Sequence, residues 1–153
     1  MPILPYPVHR VKLPFLKGPL FYLSYQCWLF FYLLFRKADI IWANDLDTVL
    51  PSFMISKLRG LEYIVDSHEL FTEVPELNKA PIKKSIWKFI EKHLAVKANI
   101  FITVNQSLAK IFHETYGINP KVVRNVPKRV DIPPAHSRNQ IGIPEGDLVV
   151  IIQ

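Results

Sequence analysis

The fold is decided by the stretch Tyr63-Ile64-Val65-Asp66-Ser67-His68-Glu69-Leu70-Phe71-Thr72-Glu73. Its first three residues form a short apolar run, which is typical of a buried strand in a parallel sheet. Ionisable side chains crowd the end of this run, and ligands of open α/β sheets bind beyond the carboxyl ends of the strands. His68 and Glu69 are therefore the first candidates for a functional site.

The sequence on both sides of this stretch alternates between strand and helix patterns. Gly60 and Gly117 each follow a helical pattern, at the position where a left-handed residue ends many helices. Strands that alternate with helices of this length require right-handed crossovers and a parallel sheet. The predicted class is therefore α/β, with strands at 40–43, 62–65, 100–104 and 121–124 and helices at 48–58, 82–97 and 106–116.

Length and composition suit one globular domain. The chain has 153 residues, of which 50% are hydrophobic, so it can bury a real core and disorder is not expected. The net charge of +6 favours an anionic partner, which leaves a phosphorylated substrate, a membrane surface and nucleic acid open. Cys27 is the single cysteine, so no intramolecular disulfide forms and a reducing compartment is expected.

The segment from Gly18 to Phe35 contains no charged residue and comes close to the length of a membrane span. Three tyrosines, Ser24 and Gln26 dilute its hydrophobicity, and Arg36-Lys37 leads straight into the next apolar strand. We therefore favour a buried or membrane-touching helix over a spanning one. The N-terminus lacks the pattern of a signal peptide, so we expect a cytoplasmic protein.

Several motifs together resemble the family 4 glycosyltransferases, which have the GT-B fold. The resemblance runs from about residue 38 to residue 153 and covers their N-terminal, Rossmann-like domain. The motifs that carry it are Ala38-Asp39-Ile40-Ile41-Trp42-Ala43-Asn44-Asp45-Leu46-Asp47, Val65-Asp66-Ser67-His68-Glu69-Leu70-Phe71-Thr72-Glu73, Ile102-Thr103-Val104-Asn105 and Val122-Val123-Arg124-Asn125-Val126-Pro127.

The resemblance implies transfer of a sugar, with retention, from a nucleotide-sugar donor to a glycan or lipid-linked acceptor. In such enzymes the N-terminal domain holds the acceptor and the C-terminal domain holds most of the donor. The family's glycine-rich phosphate loop is not recognisable here, and no two glutamates have the spacing of the family's donor-binding pair. The resemblance therefore predicts an acceptor-side portion with little activity of its own.

The domain organisation predicted from the sequence follows from this resemblance. Residues 1–19 form a proline-rich irregular N-terminus and residues 20–127 the Rossmann-like acceptor-side domain. Residues 128–146 are proline-punctuated and polar, as in an interdomain linker. Residues 147–153 are expected to be the first strand of a donor-binding domain, so the chain resembles a piece cut at both ends.

The resemblance gives His68 and Glu69 the role of positioning the acceptor, and a neutral imidazole suits this because it both donates and accepts hydrogen bonds. The alternative is a histidine that is satisfied by nearby backbone at a strand end. A metal site built from Asp66, His68 and Glu69 is not favoured, because adjacent residues seldom converge on one ion. We expect neither a metal nor another cofactor.

Asp45, Glu73 and Asn125 are candidates for substrate binding. Asp45 follows the first predicted strand, where it either shapes the cleft or caps the next helix. Glu73 would share a helix face with Glu69 if a helical turn joined them, and the alternative is charge at a helix N-terminus. Asn125 matches a family position at the domain junction, and it also suits a plain turn.

The helix predicted from residue 82 is amphipathic and basic. Lys83, Lys84 and Lys88 could lie on anionic lipid headgroups with Trp87 at the interface, which would place the protein at the inner face of the membrane. The alternative is a helix with a solvated lysine face and a core stripe.

Two other classes of function compete with the transferase. A non-catalytic membrane-surface module would use the aromatic segment and the lysine helix without chemistry. Nucleic-acid binding fits the charge, but the aromatic residues cluster in apolar runs instead of alternating with basic ones, so no nucleic-acid partner is expected.

Overall fold

The computed structural model describes residue 8, residues 10–126 and residues 136–150. Within these ranges the chain alternates between helices and strands from residue 19 to residue 122. The elements are α1 (Pro19–Leu34), β1 (Ile40–Asn44), α2 (Val49–Arg59), β2 (Glu62–Ser67), α3 (Pro75–Asn78), α4 (Pro81–His93), β3 (Ile100–Thr103), α5 (Gln106–Tyr116) and β4 (Lys121–Val122).

The strands form one parallel sheet in the order β1-β2-β3-β4 within the described part of the chain. Ala43 pairs with Val65, and Val65 pairs with Phe101, so the apolar centres of the first three strands lie side by side. Right-handed crossovers between successive neighbours place the connecting helices on one face of the sheet. The predicted α/β class with a Rossmann-like parallel sheet is confirmed.

The core lies between this face of the sheet and the helices. Tyr63 and Val65 are each 2% exposed, and Phe112 of α5 is 1% exposed. Large side chains of the helices pack on these strand residues and exclude water, which is the main source of stability for such a layer. The buried cluster consists of Ala43, Leu46, Val49, Tyr63, Val65, Leu77, Trp87, Ile90, Ala95, Phe101 and Phe112.

Two helix ends are where the glycines predict them. Gly60 follows α2 with φ 64° and Gly117 follows α5 with φ 71°, both in the left-handed region. Their backbone N–H groups donate to the carbonyl oxygens of Ser56 and His113. Each bond satisfies a carbonyl of the last turn that has no partner within the helix.

Two predicted elements are clearly shorter in the structure, and one short helix was not predicted. The helix expected through residue 97 ends at His93, and a 3-10 turn at Ala95–Lys97 follows. The last strand spans only Lys121–Val122 instead of reaching residue 124. The short helix α3 lies in a segment that has no helical periodicity of its own, and Val74-Pro75 marks its start.

Helix α1 lies beside α2 on the outside of the domain. The Arg59 guanidinium donates to the carbonyl oxygen of Leu33 at 3.1 Å, and Gln26 Nε2 donates to that of Asp47 at 2.6 Å. The middle of α1 thus contacts the segment before α2, and the end of α1 contacts the end of α2, so the two helices run in the same direction. None of the residues of α1 is buried, so the alternative of a buried helix was wrong, and the alternative of a membrane-touching helix stays a prediction. No helix of the described residues has the length and apolar character to cross a membrane.

The flanking segments are described only in part. Residues 1–7 and 9 of the predicted irregular N-terminus, residue 127 at the end of the predicted Rossmann-like domain, and residues 128–135 of the predicted linker lie outside the described residues. A 3-10 turn at Asn139–Ile141 falls within the predicted linker. Residues 148–150 have no regular secondary structure, and the other residues of the strand expected there, 151–153, lie outside the described ranges.

Candidate functional site

Polar side chains from three strand ends meet at the carboxyl edge of the sheet. Asp45 follows β1, Asp66 and His68 belong to the end of β2, and Asn125 follows β4. We name these four residues the strand-exit cluster. Parallel strands bring their carboxyl ends to one edge, which explains how residues so distant in the chain become neighbours.

The end of β2 is fixed by the neighbouring strand. The Thr103 hydroxyl donates to the carbonyl oxygen of Ser67 at 2.9 Å, and Thr103 is fully buried. The Ser67 hydroxyl in turn donates to the carbonyl oxygen of Glu69 at 3.0 Å. These two bonds hold the backbone on both sides of His68, so the imidazole stands on a rigid support.

Asp45 has an unusual backbone conformation. Its φ of 59° and ψ of 169° lie in a region that glycine favours, and no other non-glycine residue in the described ranges has a positive φ. Its Oδ1 accepts a hydrogen bond from the backbone N–H of His68 at 3.2 Å. It makes no side-chain cap to the helical turn that follows. The carboxylate therefore links the ends of β1 and β2, and the capping alternative is not what the structure shows.

His68 has a polar partner at each ring nitrogen. Nε2 lies 3.4 Å from Asp66 Oδ1, and Nδ1 lies 3.3 Å from Asn125 Nδ2. Because a carboxylate only accepts and the amide nitrogen only donates, these partners assign the proton of the neutral ring to Nε2. The side chain is 36% exposed, so one part of the ring faces solvent. Both partners are side chains, so the predicted alternative of a histidine whose ring bonds to nearby backbone does not apply.

Neither of the two predicted glutamates bonds to this cluster through its carboxylate. Glu69 is an exposed residue in a bend, and among the described residues its carboxylate has no hydrogen-bond partner. Glu73 lies in a 3-10 turn that begins at Phe71, so no helical turn joins it to Glu69 and the expected shared face was wrong. The Glu73 carboxylate accepts from Lys84 Nζ at 2.7 Å and pairs with Lys88 Nζ at 3.0 Å.

The bonds from the two lysines lower the pKa of the Glu73 carboxyl. Because the Glu73 side chain is 49% exposed, the ion pairs are typical surface pairs of small energetic effect. Glu73 thus ties the segment after β2 to α4, and the structure does not bring it to His68.

The structure contradicts the prediction for Trp87 on the proposed membrane face of α4. Trp87 is 9% exposed and packs edge-on against the rings of Tyr22 and Phe71 at 5.6 and 5.2 Å. Its indole is part of the core, so its assignment to the lipid interface was wrong. Lys84 and Lys88 are engaged with Glu73, whereas Lys83 is exposed.

Sequence reasoning missed a buried carboxyl group on the same helix. Glu91 is 4% exposed, and its Oε2 accepts hydrogen bonds from the hydroxyl groups of Tyr116 and Thr72. Burial raises the pKa of the Glu91 carboxyl. Burial, together with the bond to Glu91, also raises the pKa of the Tyr116 phenol. The helical pattern gave no signal for this cluster, because its three members come from separate elements.

The strand-exit cluster suits hydroxyl groups better than phosphate. Its two carboxylates accept hydrogen bonds and repel anions, while the amide of Asn125 and the ring of His68 both donate and accept. Sugar hydroxyls need this mixture of donors and acceptors. Within the described residues, no group of three or more histidine, cysteine, aspartate or glutamate side chains is placed to hold a metal ion.

Comparison with protein families gives one match. Residues 3–132 match the model described as Glycosyltransferase Family 4, which includes α1 and every strand of the sheet described above. The match begins well before residue 38, where the motifs first became recognisable in the sequence. Comparison with curated proteins gave no match.

Proposed function

Because the chain belongs to glycosyltransferase family 4, we propose that it forms the acceptor side of an enzyme that moves a sugar from a nucleotide-sugar donor to a glycan or lipid-linked acceptor. Membership supports a transferase function in general, and the roles below are our proposal. The observation that carries it is the convergence of Asp45, Asp66, His68 and Asn125 at one sheet edge.

In this proposal His68 orients the acceptor. An incoming hydroxyl would bond to the exposed part of the imidazole and to the carboxylate and amide groups beside it. Asn125 and Asp45 hold the ring and its backbone in place, so little ordering is left to occur on binding. Glu69, which is exposed and adjacent, would complete the contact with the acceptor.

Most of the transition-state stabilisation is proposed to come from donor-binding groups outside this cluster. A glycosyl transfer passes through an oxocarbenium-like state as the nucleotide phosphate leaves, and preorganised donors and charges must stabilise both. The sequence shows no donor-binding pair of glutamates. We therefore propose that this chain binds acceptor and transfers little sugar alone, with retention in the complete reaction as in the family.

Acceptor binding is tested with a panel of free mono- and disaccharides by saturation-transfer NMR. The expected result is that some saccharides bind, and that His68→Ala removes their signals. His93→Ala is the matched control, because His93 is exposed on α4 and lies outside the cluster. Saccharide signals that persist in both His68→Ala and Asn125→Ala would contradict the proposed site. Sugar transfer from UDP-glucose or GDP-mannose by the chain alone would contradict the division of roles.

A membrane-surface module remains a second candidate because of one observation. Ile82, Ile86 and Phe89 on α4 are 78%, 55% and 61% exposed, beside exposed lysines. Apolar side chains beside lysines are the combination that binds anionic lipid surfaces. Co-sedimentation with anionic vesicles that is lost in Phe89→Glu, without any saccharide binding, would favour this function.

A further inference from the structure

An apolar groove runs between the first halves of α1 and α4. Its volume is about 630 Å³, within the range of small-molecule sites. The floor includes Trp87, and Lys83 stands at the rim. Its apolar walls are Pro19, Tyr22 and Leu23 of α1, Leu50 of α2, and Ile82 and Ile86 of α4.

Much of this wall is open to water. Leu23 is 60% exposed, Ile82 78% and Ile86 55%. Contiguous apolar surface of this kind is uncommon on a protein without a ligand or partner, because its hydration is unfavourable. An apolar occupant that covers these side chains would therefore be favourable.

The groove lies at the same end of the sheet as the strand-exit cluster. Leu50 belongs to the first turn of α2, directly after the end of β1. Gln26, which also lines the groove, donates to the carbonyl oxygen of Asp47. Two residues before Asp47 in the chain, the Asp45 carboxylate accepts a hydrogen bond from the backbone N–H of His68. One short segment, residues 45–50, thus joins the groove to the cluster.

Charge favours one class of occupant. Lys83 has no ion-pair partner in the described ranges, whereas Lys84 and Lys88 share Glu73. An unpaired ammonium at the rim of an apolar groove suits a chain that ends in a phosphate. A free sugar or a nucleotide would leave the apolar walls uncovered.

We propose that this groove holds the hydrocarbon chain of a lipid-phosphate acceptor, with its phosphate at Lys83 and its sugar head at the strand-exit cluster. This inference rests on the proposed function, since it names the class of acceptor that the cluster receives. It requires one lipid molecule in the groove and not insertion of the protein surface into a bilayer.

The test is quenching of Trp87 fluorescence by bromododecyl phosphate in the full chain. The probe is used below its micelle concentration, and Trp28→Phe and Trp42→Phe leave Trp87 as the only tryptophan. We expect saturable quenching. Ile86→Glu should weaken binding by about tenfold or more, since a carboxylate in the wall removes apolar contact and repels the phosphate.

Two further comparisons measure separately what the phosphate and the groove contribute to binding. Lys83→Glu and the neutral probe bromododecanol should each give weaker binding than the unchanged chain with the phosphate probe. Phe89→Glu and Lys92→Glu are the matched controls on α4, because both positions are exposed and neither lines the groove. Binding in these controls should equal that of the unchanged chain. Circular dichroism checks folding, and Ile82→Glu replaces Ile86→Glu if the latter does not fold.

Three results would overturn the inference. The first is the absence of saturable quenching. The second is an equal loss of probe binding in Ile86→Glu and Phe89→Glu, which would indicate that the protein surface inserts into lipid. The third is self-association of the unchanged chain, seen by sedimentation and abolished by Ile86→Glu, with no effect of the probe. The readout requires no sugar transfer, so saccharide binding at His68 without quenching would remove this inference alone. Quenching without saccharide binding would leave the lipid phosphate in the groove, but it would remove the proposed function and with it the placement of the sugar head at the strand-exit cluster.

Discussion

His68 Nδ1 lies 3.3 Å from Asn125 Nδ2, although 57 positions separate the two residues in the chain. The contact joins the end of β2 to the segment after β4, and with Asp66 on Nε2 it fixes the imidazole at both nitrogens. The orientation and the proton position of the candidate acceptor-binding ring are therefore set by two different strand ends.

Asn125→Ala should release the ring without unfolding the protein. In the unchanged chain the neutral imidazole carries its proton on Nε2, because Nδ1 accepts from the amide. Loss of the amide should leave Nδ1 without its donor while Asp66 still accepts from Nε2–H, so the ¹⁵N shift of Nδ1 should change. Asn125 is exposed, so the free energy of unfolding should change by no more than about 0.5 kcal/mol. An Nδ1 shift in the variant equal to that of the unchanged chain would show that Asn125 does not hold the ring.

Position 45 should tolerate glycine better than alanine. Both substitutions remove the carboxylate that accepts from the His68 amide, but only glycine adopts φ 59° and ψ 169° without strain. We expect Asp45→Ala to be less stable than Asp45→Gly by about 1 kcal/mol or more in urea unfolding. Asp39 is the control, because it is exposed and has no positive φ. At Asp39 the glycine variant should not be the more stable one, and the same order at both positions would refute the argument from strain.

Trp87→Ala should destabilise the domain strongly. The indole is 9% exposed and lies between Tyr22 and Phe71, so its removal leaves a cavity among aromatic rings. We expect a loss of roughly 3 kcal/mol or more in the free energy of unfolding. Phe89→Ala on the same helix is the control, since Phe89 is 61% exposed and its loss should be much smaller. Equal effects would mean that Trp87 is not part of the core.

Glu91 should make stability depend on pH. Its pKa is raised by burial, so between its ordinary value of 4.5 and its higher folded value the native state retains a proton that the unfolded state releases. The stabilising contribution is complete below pH 4.5 and is lost as the pH rises through the folded pKa. The hydroxyl groups of Tyr116 and Thr72 and the charges of Lys88 and Glu73 act on this group.

Glu91→Gln should remove this loss of stability at higher pH, because the amide stays neutral and its oxygen still accepts a hydrogen bond from Tyr116. Urea unfolding from pH 4.5 upwards measures the difference between the two proteins, which should widen in favour of the variant as the pH rises. Glu114→Gln is the control, because Glu114 is exposed on α5 and pairs only weakly with Lys110 at 3.7 Å. Parallel pH profiles of Glu91→Gln and the unchanged chain would contradict the assignment.

The local pattern of the sequence was sufficient for the fold. Apolar runs at 40–43, 62–65 and 100–104 became strands, and Gly60 and Gly117 ended helices, because these outcomes depend on neighbouring residues alone. The boundary at His93 and the brevity of β4 were not predictable in this way. Both depend on how adjacent elements pack, and periodicity carries no information on that.

For the candidate site, the sequence by itself placed three of the candidate residues at the ends of strands: His68, Asp45 and Asn125. Only the tertiary structure decided which side chains meet. It joined Asn125 to His68, turned Glu73 towards Lys84 and Lys88, and placed Trp87 in the core. The physical reason is that parallel crossovers bring distant strand ends to one edge, whereas helix packing determines which face of α4 is buried.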